Sequence, residues 1–264
     1  MMLHGAFCMM FQSTVASAAI VGSAAYLAGY AHTAATDRPP MLQVALIGAS
    51  GHASDVLSLI ESLNRDAPAE HYSHCRVVGL FHSDPASMDS RRFEDRDVEV
   101  LALDTLVGLA AEMTGLRYIA CVGYPSDRQD VAQSAAVVGL EPLTVVHRTA
   151  AIGTNVTLGT GVVILAQTSI SPVASIGDHS YISHGALVGH DTIIGAYSSL
   201  MPGCSVSGDC IVGPGSTIGS NATVLEKIEI GAGATVGAGA VVTRNVAAGD
   251  TVVGAPAKVV SSRR

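Results

Sequence analysis

From Ile152 onward, one position in every six is Ile, Leu or Val: Ile152, Leu158, Ile164, Ile170, Ile176, Ile182, Val188, Ile194, Leu200, Val206, Val212, Ile218, Val224, Ile230, Val236 and Val242. Sixteen consecutive matches constrain the fold more than any other feature of the chain. Four residues after most of them stands a small side chain, among them Thr168, Ala174, Ser180, Ala186, Cys204, Cys210, Ser216 and Ala240. Both positions are expected to point inward. A six-residue unit of short strand and turn cannot bury a face alone, so three units close a triangular coil and the coils stack about 4.8 Å apart, like paired strands. The expected architecture is a left-handed parallel β-helix. Gly159, Gly177, Gly195, Gly213 and Gly231 recur every 18 residues, read here as corners needing backbone freedom.

The segment before the repeat has a different grammar. Leu42–Ile47 reads as a buried parallel strand, followed by Gly48-Ala49-Ser50-Gly51-His52 and an apolar-periodic helix around Asp55 to Leu63. Further strands are predicted at Val77–Phe81, Val98–Leu103 and Tyr118–Gly123, so residues 41–146 form an α/β, Rossmann-like half and residues 147–264 the β-helix. A glycine turn at a helix N-terminus favours phosphate, because free N–H groups and the helix dipole meet there. Gly48, Ser50, Gly51 and His52 are therefore candidate substrate-binding residues, with Asp84 nearby. The third glycine of the full dinucleotide fingerprint is missing, and no acidic residue closes the second strand cleanly, which lowers a redox reading.

Composition removes other classes. A net charge of −8 with only 14 Lys and Arg argues against nucleic-acid binding. Five cysteines without a CxxC indicate neither a disulfide framework nor a zinc knuckle, and fit a reducing cytoplasm. The apolar run Val15 to Ala31 is long enough for a weak signal or anchor, but no Lys or Arg precedes it. Met41, directly after Arg38-Pro39-Pro40, is an alternative start, and nothing catalytic is expected in residues 1–40.

Three histidines cluster in the repeat. His179 and His184 have the spacing of a zinc pair in gamma-class carbonic anhydrases, but the positions two coils earlier are Leu143 and Arg148, so no metal is expected. His190 stands at a solvent-facing corner, with Pro172 and Gly208 one coil away, Asp191 beside it and Asp209 one coil above. That makes His190 a candidate general base, Asp191 its orienting carboxylate, and Gly208 the residue that leaves space beside the ring. His184 belongs to another corner. A base on a convex edge neither excludes water nor encloses a substrate, so a second surface must complete the site, and a closed threefold arrangement is the economical solution.

Residues 43–260 resemble the NeuD/PglD-type family of sugar O- and N-acyltransferases. The resemblance is carried by IGASGHASDV (47–56), VVGLFHSDP (77–85), ACVGYPSDR (120–128), VVHRTAAIG (145–153), GALVGHDTIIG (185–195) and VGAGAVVTRNVAAGDTVVGAPAKVV (236–260). It implies a homotrimer, with acetyl-CoA between neighbouring prisms against Gly208, Gly237 and the Gly254-Ala255-Pro256 turn, and a nucleotide-linked amino sugar held by the N-terminal half. His190 and Asp191 match the family's base and its acidic neighbour, and His52 and Asp84 match substrate positions. Relatives carry a second active-site histidine where Ser199 stands, and an Asn where Ser183 stands. The implied reaction is N-acetylation by direct transfer, since no Cys or Ser is arranged with His190 as a nucleophile. O-acetylation of a sialic-acid-like sugar, or a non-catalytic sugar-nucleotide scaffold, are the alternatives.

Overall fold

The computed structural model describes residues 41–48, 50–66, 75–87, 89, 91 and 93–262. The signal, anchor and Met41-start readings of residues 1–40 lie outside them. Among the described residues no helix is long and apolar enough to cross a membrane.

Strand β1 (Leu42–Ile47) is the centre of a five-stranded parallel sheet. It lies between β2 (Cys75–His82) and β4 (Arg117–Ala120), with β3 (Val100–Ala102) and β5 (Glu141–Pro142) outermost, in the order β3-β2-β1-β4-β5. Val44, Ala45 and Leu46 are fully buried because both faces of a parallel sheet are covered. Helix α1 (Gly51–Asp66) follows β1, α2 (Thr105–Glu112) follows β3, and α3 (Pro125–Val137) follows β4. The order reverses at β1 and β4. Their carboxyl ends, at Gly48 and Cys121–Gly123, flank the crevice where such sheets take ligands.

The repeat folds as a left-handed parallel β-helix, with seventeen two-residue strands from β6 (Val145–Val146) to β22 (Val241–Val242). It therefore begins one hexad before Ile152, since Val145–Val146 pairs with Val163–Ile164. Each strand pairs with those 18 residues away, so Leu187–Val188 lies between Ser169–Ile170 and Ser205–Val206. The inward hexad residues and the small column make one continuous core: Ile164, Ile182, Leu200 and Ile218 are fully buried, and so are Ala174, Cys204, Cys210 and Ala234. Hydroxyls enter that column because each finds a carbonyl 15 residues ahead. Ser180 donates to Gly195, Ser198 to Gly213 and Ser216 to Gly231 at 2.8–3.1 Å.

The corner glycines hold their places for another reason than the one expected. None of the five has positive φ; the left-handed positions fall two residues later, at His179 and Tyr197 among others. A Cβ on Gly177 or Gly213 would sit 2.5 Å from the backbone nitrogen of Ala196 or Ala232 on the next coil. Close stacking, not backbone freedom, excludes side chains there.

The prism has three faces. The strands Tyr181–Ile182, Val163–Ile164 and Ser199–Leu200 belong to the face that carries the N-terminal half, and their outward residues Tyr181, Val163 and Ser199 are buried. On the face containing Ile193–Ile194 and Ile211–Val212, the outward Ile193 and Ile211 are exposed. Strand β23 (Asp250–Val253) adds to the covered face, and β24 (Lys258–Ser262) folds back on it antiparallel.

Candidate functional site

The hexad register puts His190 at the corner between the Leu187 and Ile193 faces, the edge opposite the covered face. Its side chain is about 62% exposed, and its Nδ1 lies 2.8 Å from Asp191 Oδ2. Asp191 takes positive φ, a conformation that Asp tolerates better than most residues because its short polar chain bonds locally. Asp209 stands one coil above, its amide donating to the His190 carbonyl at 2.9 Å. The imidazole lies over Gly208, where a Cβ would come within 2.6 Å of His190 Nε2. The space expected beside Gly208 is thus filled by the ring itself. The ligand atoms of His190, Asp191 and Asp209 lie within 4.8 Å of one another, on exposed side chains.

The glycine turn folds at the crevice of the sheet. Gly48 has φ +101°, and its amide donates to Phe81. Ser50 Oγ donates to the Cys121 carbonyl at 3.1 Å and accepts from the His52 amide at 3.3 Å, tying the start of α1 to the end of β4. Asp84 is exposed at the adjacent carboxyl end of β2, its amide bonded to His82 Nδ1. Gly48, Ser50, Gly51, His52 and Asp84 therefore come together at one end of the sheet. His52 does not face solvent freely. Its ring meets Tyr181 of the prism edge-on at 4.8 Å and lies against Gly123, where a Cβ would be 2.7 Å from Cε1. Burial lowers its pKa, Asp55 opposes that shift, and Arg128 reinforces it.

The three histidines of one coil meet three environments. His179 is buried, stacked between Tyr197 at 5.2 Å and Tyr118 at 6.1 Å. His184 faces Asp55 of α1 at 4.0 Å. The two are not brought together as a ligand pair. The candidate CoA residues also separate within one chain: Gly208 is at the His190 corner, whereas Gly237 and the Gly254-Ala255-Pro256 turn follow strands of the covered face and reach a different corner. That turn is fastened to the last coil, Gly254 accepting from Val241 and Ala257 donating to Val241.

One buried charge escaped sequence reasoning. Arg128 on α3 is 2% exposed. The helical register carried a signal: Arg128, Ala132 and Ala135 at i, i+4 and i+7 share the buried face of α3. Ser199, where relatives carry histidine, is turned toward it, accepting from Arg128 Nη2 at 2.8 Å and donating to the Gly123 carbonyl at 3.3 Å. Ser183 is buried as well.

Comparison with known proteins agrees with this layout. The family model "Bacterial transferase hexapeptide (six repeats)" matches residues 191–226 and 209–244. PerB from Caulobacter crescentus, a perosamine N-acetyltransferase crystallised with CoA and GDP-perosamine, is 30% identical. The match covers 83% of this chain and 97% of PerB, with a TM-score of 0.72. The chain belongs to the NeuD/PglD-type sugar acyltransferases. The acetyltransferase domain of PglB from Neisseria gonorrhoeae FA1090 is 25% identical over 83% of this chain and all of that domain, with a TM-score of 0.70. WeeI from Acinetobacter baumannii AYE, 23% identical over 82% of this chain and 99% of its own, shares the fold at a TM-score of 0.71. No curated protein matches the chain by sequence.

Proposed function

We propose that the chain is an acetyl-CoA-dependent N-acetyltransferase acting on a nucleotide-linked amino sugar, with His190 as general base. The observation that carries this reading is the contact between His190 Nδ1 and Asp191. A carboxylate that accepts the Nδ1 proton leaves Nε2 with its lone pair, pre-set to take a proton from the attacking amine and steadied once the imidazolium forms. The Gly208 amide, next to that ring, donates to no carbonyl among the described residues, which makes it the best-placed donor for the oxyanion that develops on the thioester carbonyl. The amine attacks the thioester carbon, its proton passes to His190, and the collapsing intermediate expels the CoA thiolate, which takes the proton back.

The same geometry supports a reading of the assembly. Residues 41–146 hold the nucleotide on the covered face, and His190 stands on the opposite edge, so the glycine turn and the base of one chain cannot meet around one sugar. A homotrimer near three times 26.8 kDa resolves this, the exposed Ile193 and Ile211 beside the His190 edge giving neighbours an apolar contact. PerB's bound CoA and GDP-perosamine support the same pair of ligands here. The test is CoA release measured with a panel of UDP-, GDP- and dTDP-amino sugars, alongside light scattering. Turnover with one of them by a trimer is the expected result. Nucleotide binding without CoA release, or an active monomer, would overturn the proposal.

A further inference from the structure

The role proposed above for the Gly48–His52 turn raises the question of what holds that turn in one orientation against the prism. Arg128 presents five N–H donors from a single rigid plane, buried where the two halves meet. Nε donates to the His179 carbonyl at 3.0 Å, and Nη1 to Val122 and Gly123 at 3.1 and 2.9 Å. Nη2 donates to Tyr197 at 2.6 Å, Ser198 at 3.2 Å and Ser199 Oγ at 2.8 Å. The acceptors on the prism side belong to two successive coils. Those on the other side belong to the loop after β4, against which the His52 ring is packed.

No carboxylate lies within ion-pair distance of Arg128 among the described residues, and burial lowers its pKa to about 10. Carbonyl dipoles and the Ser199 hydroxyl hold the charge, with the neighbouring Asp127 adding a longer-range attraction. Apolar side chains at this junction would bury comparable area at lower desolvation cost, but they would leave the two halves free to slide. A planar fork bonded to both sides fixes the angle as well as the contact.

We propose that Arg128 is a positioning residue that sets the nucleotide-binding turn against the prism, acting through the Gly123 loop and the His52 ring, with Ser199 as its side-chain partner. Ser199 thereby has a task of its own, accepting from Arg128 and donating to the Gly123 carbonyl.

The test uses the full chain with Arg128→Lys, which keeps the charge but loses the fork, and Ser199→Ala, which removes one acceptor. Affinity for UDP, GDP and dTDP is read by calorimetry, acetyl-CoA KM by turnover, mass by light scattering, and amide exchange over residues 120–124. Arg128→Lys is expected to weaken nucleotide binding about 10-fold while acetyl-CoA KM stays within about twofold, with faster exchange in the loop and unchanged mass. Ser199→Ala should move the same readouts less far. Nucleotide affinity and loop exchange at wild-type values in folded Arg128→Lys would overturn the proposal, and so would equal losses for nucleotide and acetyl-CoA. If Arg128→Lys fails to fold, Ser199→Ala carries the test, and wild-type affinity and exchange there would overturn it. Wild-type protein that binds nucleotide but releases no CoA sinks the acetyl-transfer reading instead, leaving affinity and exchange to report on Arg128.

Discussion

The covered face of the prism and the His190 edge are built from the same hexad register, yet they treat polar groups in opposite ways. On the covered face a guanidinium, a serine hydroxyl and the His179 ring are buried and fastened to carbonyls or aromatic rings. On the edge the side chains of His190, Asp191 and Asp209 stand in solvent, with His190 Nδ1 bonded to Asp191 and the Asp209 carboxylate within 4.8 Å of both. The repeat supplies equivalent backbone positions, and what packs outside decides whether a corner becomes a joint or a reactive group. The joint draws its rigidity from the directional bonds of Arg128 to both sides, while the buried Nδ1 of His179 has no hydrogen-bond partner among the described residues. A base needs a free nitrogen and a partner still to arrive.

The largest effect that would sharpen this contrast is at the edge. His190→Ala is expected to lower kcat by on the order of 10²-fold or more with the mass in solution unchanged, the usual range for loss of a general base. Near-wild-type turnover would remove the edge from the chemistry. Next comes Asp191→Asn. Asn accepts the positive φ at this position, so the backbone is kept while the carboxylate that orients Nδ1 is lost. Steady-state kinetics should show kcat reduced by roughly 10-fold or more with both KM values little changed. Gly208→Ala should cost less, about several-fold in kcat, since its new methyl meets the tip of the His190 ring, a side chain that can move aside, before anything else. A thermal midpoint equal to wild type would confirm that only the ring has moved.

The edge was far more legible in the sequence than the joint. His190 and Asp191 are chain neighbours, and their corner position follows from counting in sixes, so the pair could be placed without coordinates. The core column could be read for the same reason: Cys204 and Cys210 fall where the period demands a small inward group, and both are fully buried. The glycine column was found but misexplained, because sequence shows the recurrence of Gly177 and Gly195 and not the neighbouring coil that excludes a Cβ. Arg128 was missed for a physical reason. Its acceptors are mostly backbone carbonyls, those on the prism 51 to 70 residues away, and a carbonyl has no residue-type signature. Ser199 was visible only as a departure from relatives, and His52 as part of an anion turn, while the Tyr181 and Gly123 contacts that fix its ring arise from tertiary packing.

The smallest expected effect lies at the joint and concerns acid stability. His179 is packed against Tyr197 and Tyr118; burial lowers its pKa, the neighbouring Asp178 partly opposes this, and Arg128 adds to it. The folded chain therefore resists a proton that the unfolded chain accepts below the ordinary histidine value of about 6.5. The contribution to stability is complete above that pH and is lost as pH falls from about 6.5 through the lowered folded value. One group can steepen the stability profile by at most one proton, about 1.4 kcal/mol per pH unit. His179→Asn, whose side chain accepts the positive φ and does not titrate, should lower stability at every pH by losing the ring stacking, yet flatten the slope as pH falls below about 6.5. Denaturant midpoints measured across that window decide the matter: a slope equal to wild type would mean that His179 takes up its proton in the folded state as readily as in the unfolded one, and that the covered face does not seal it.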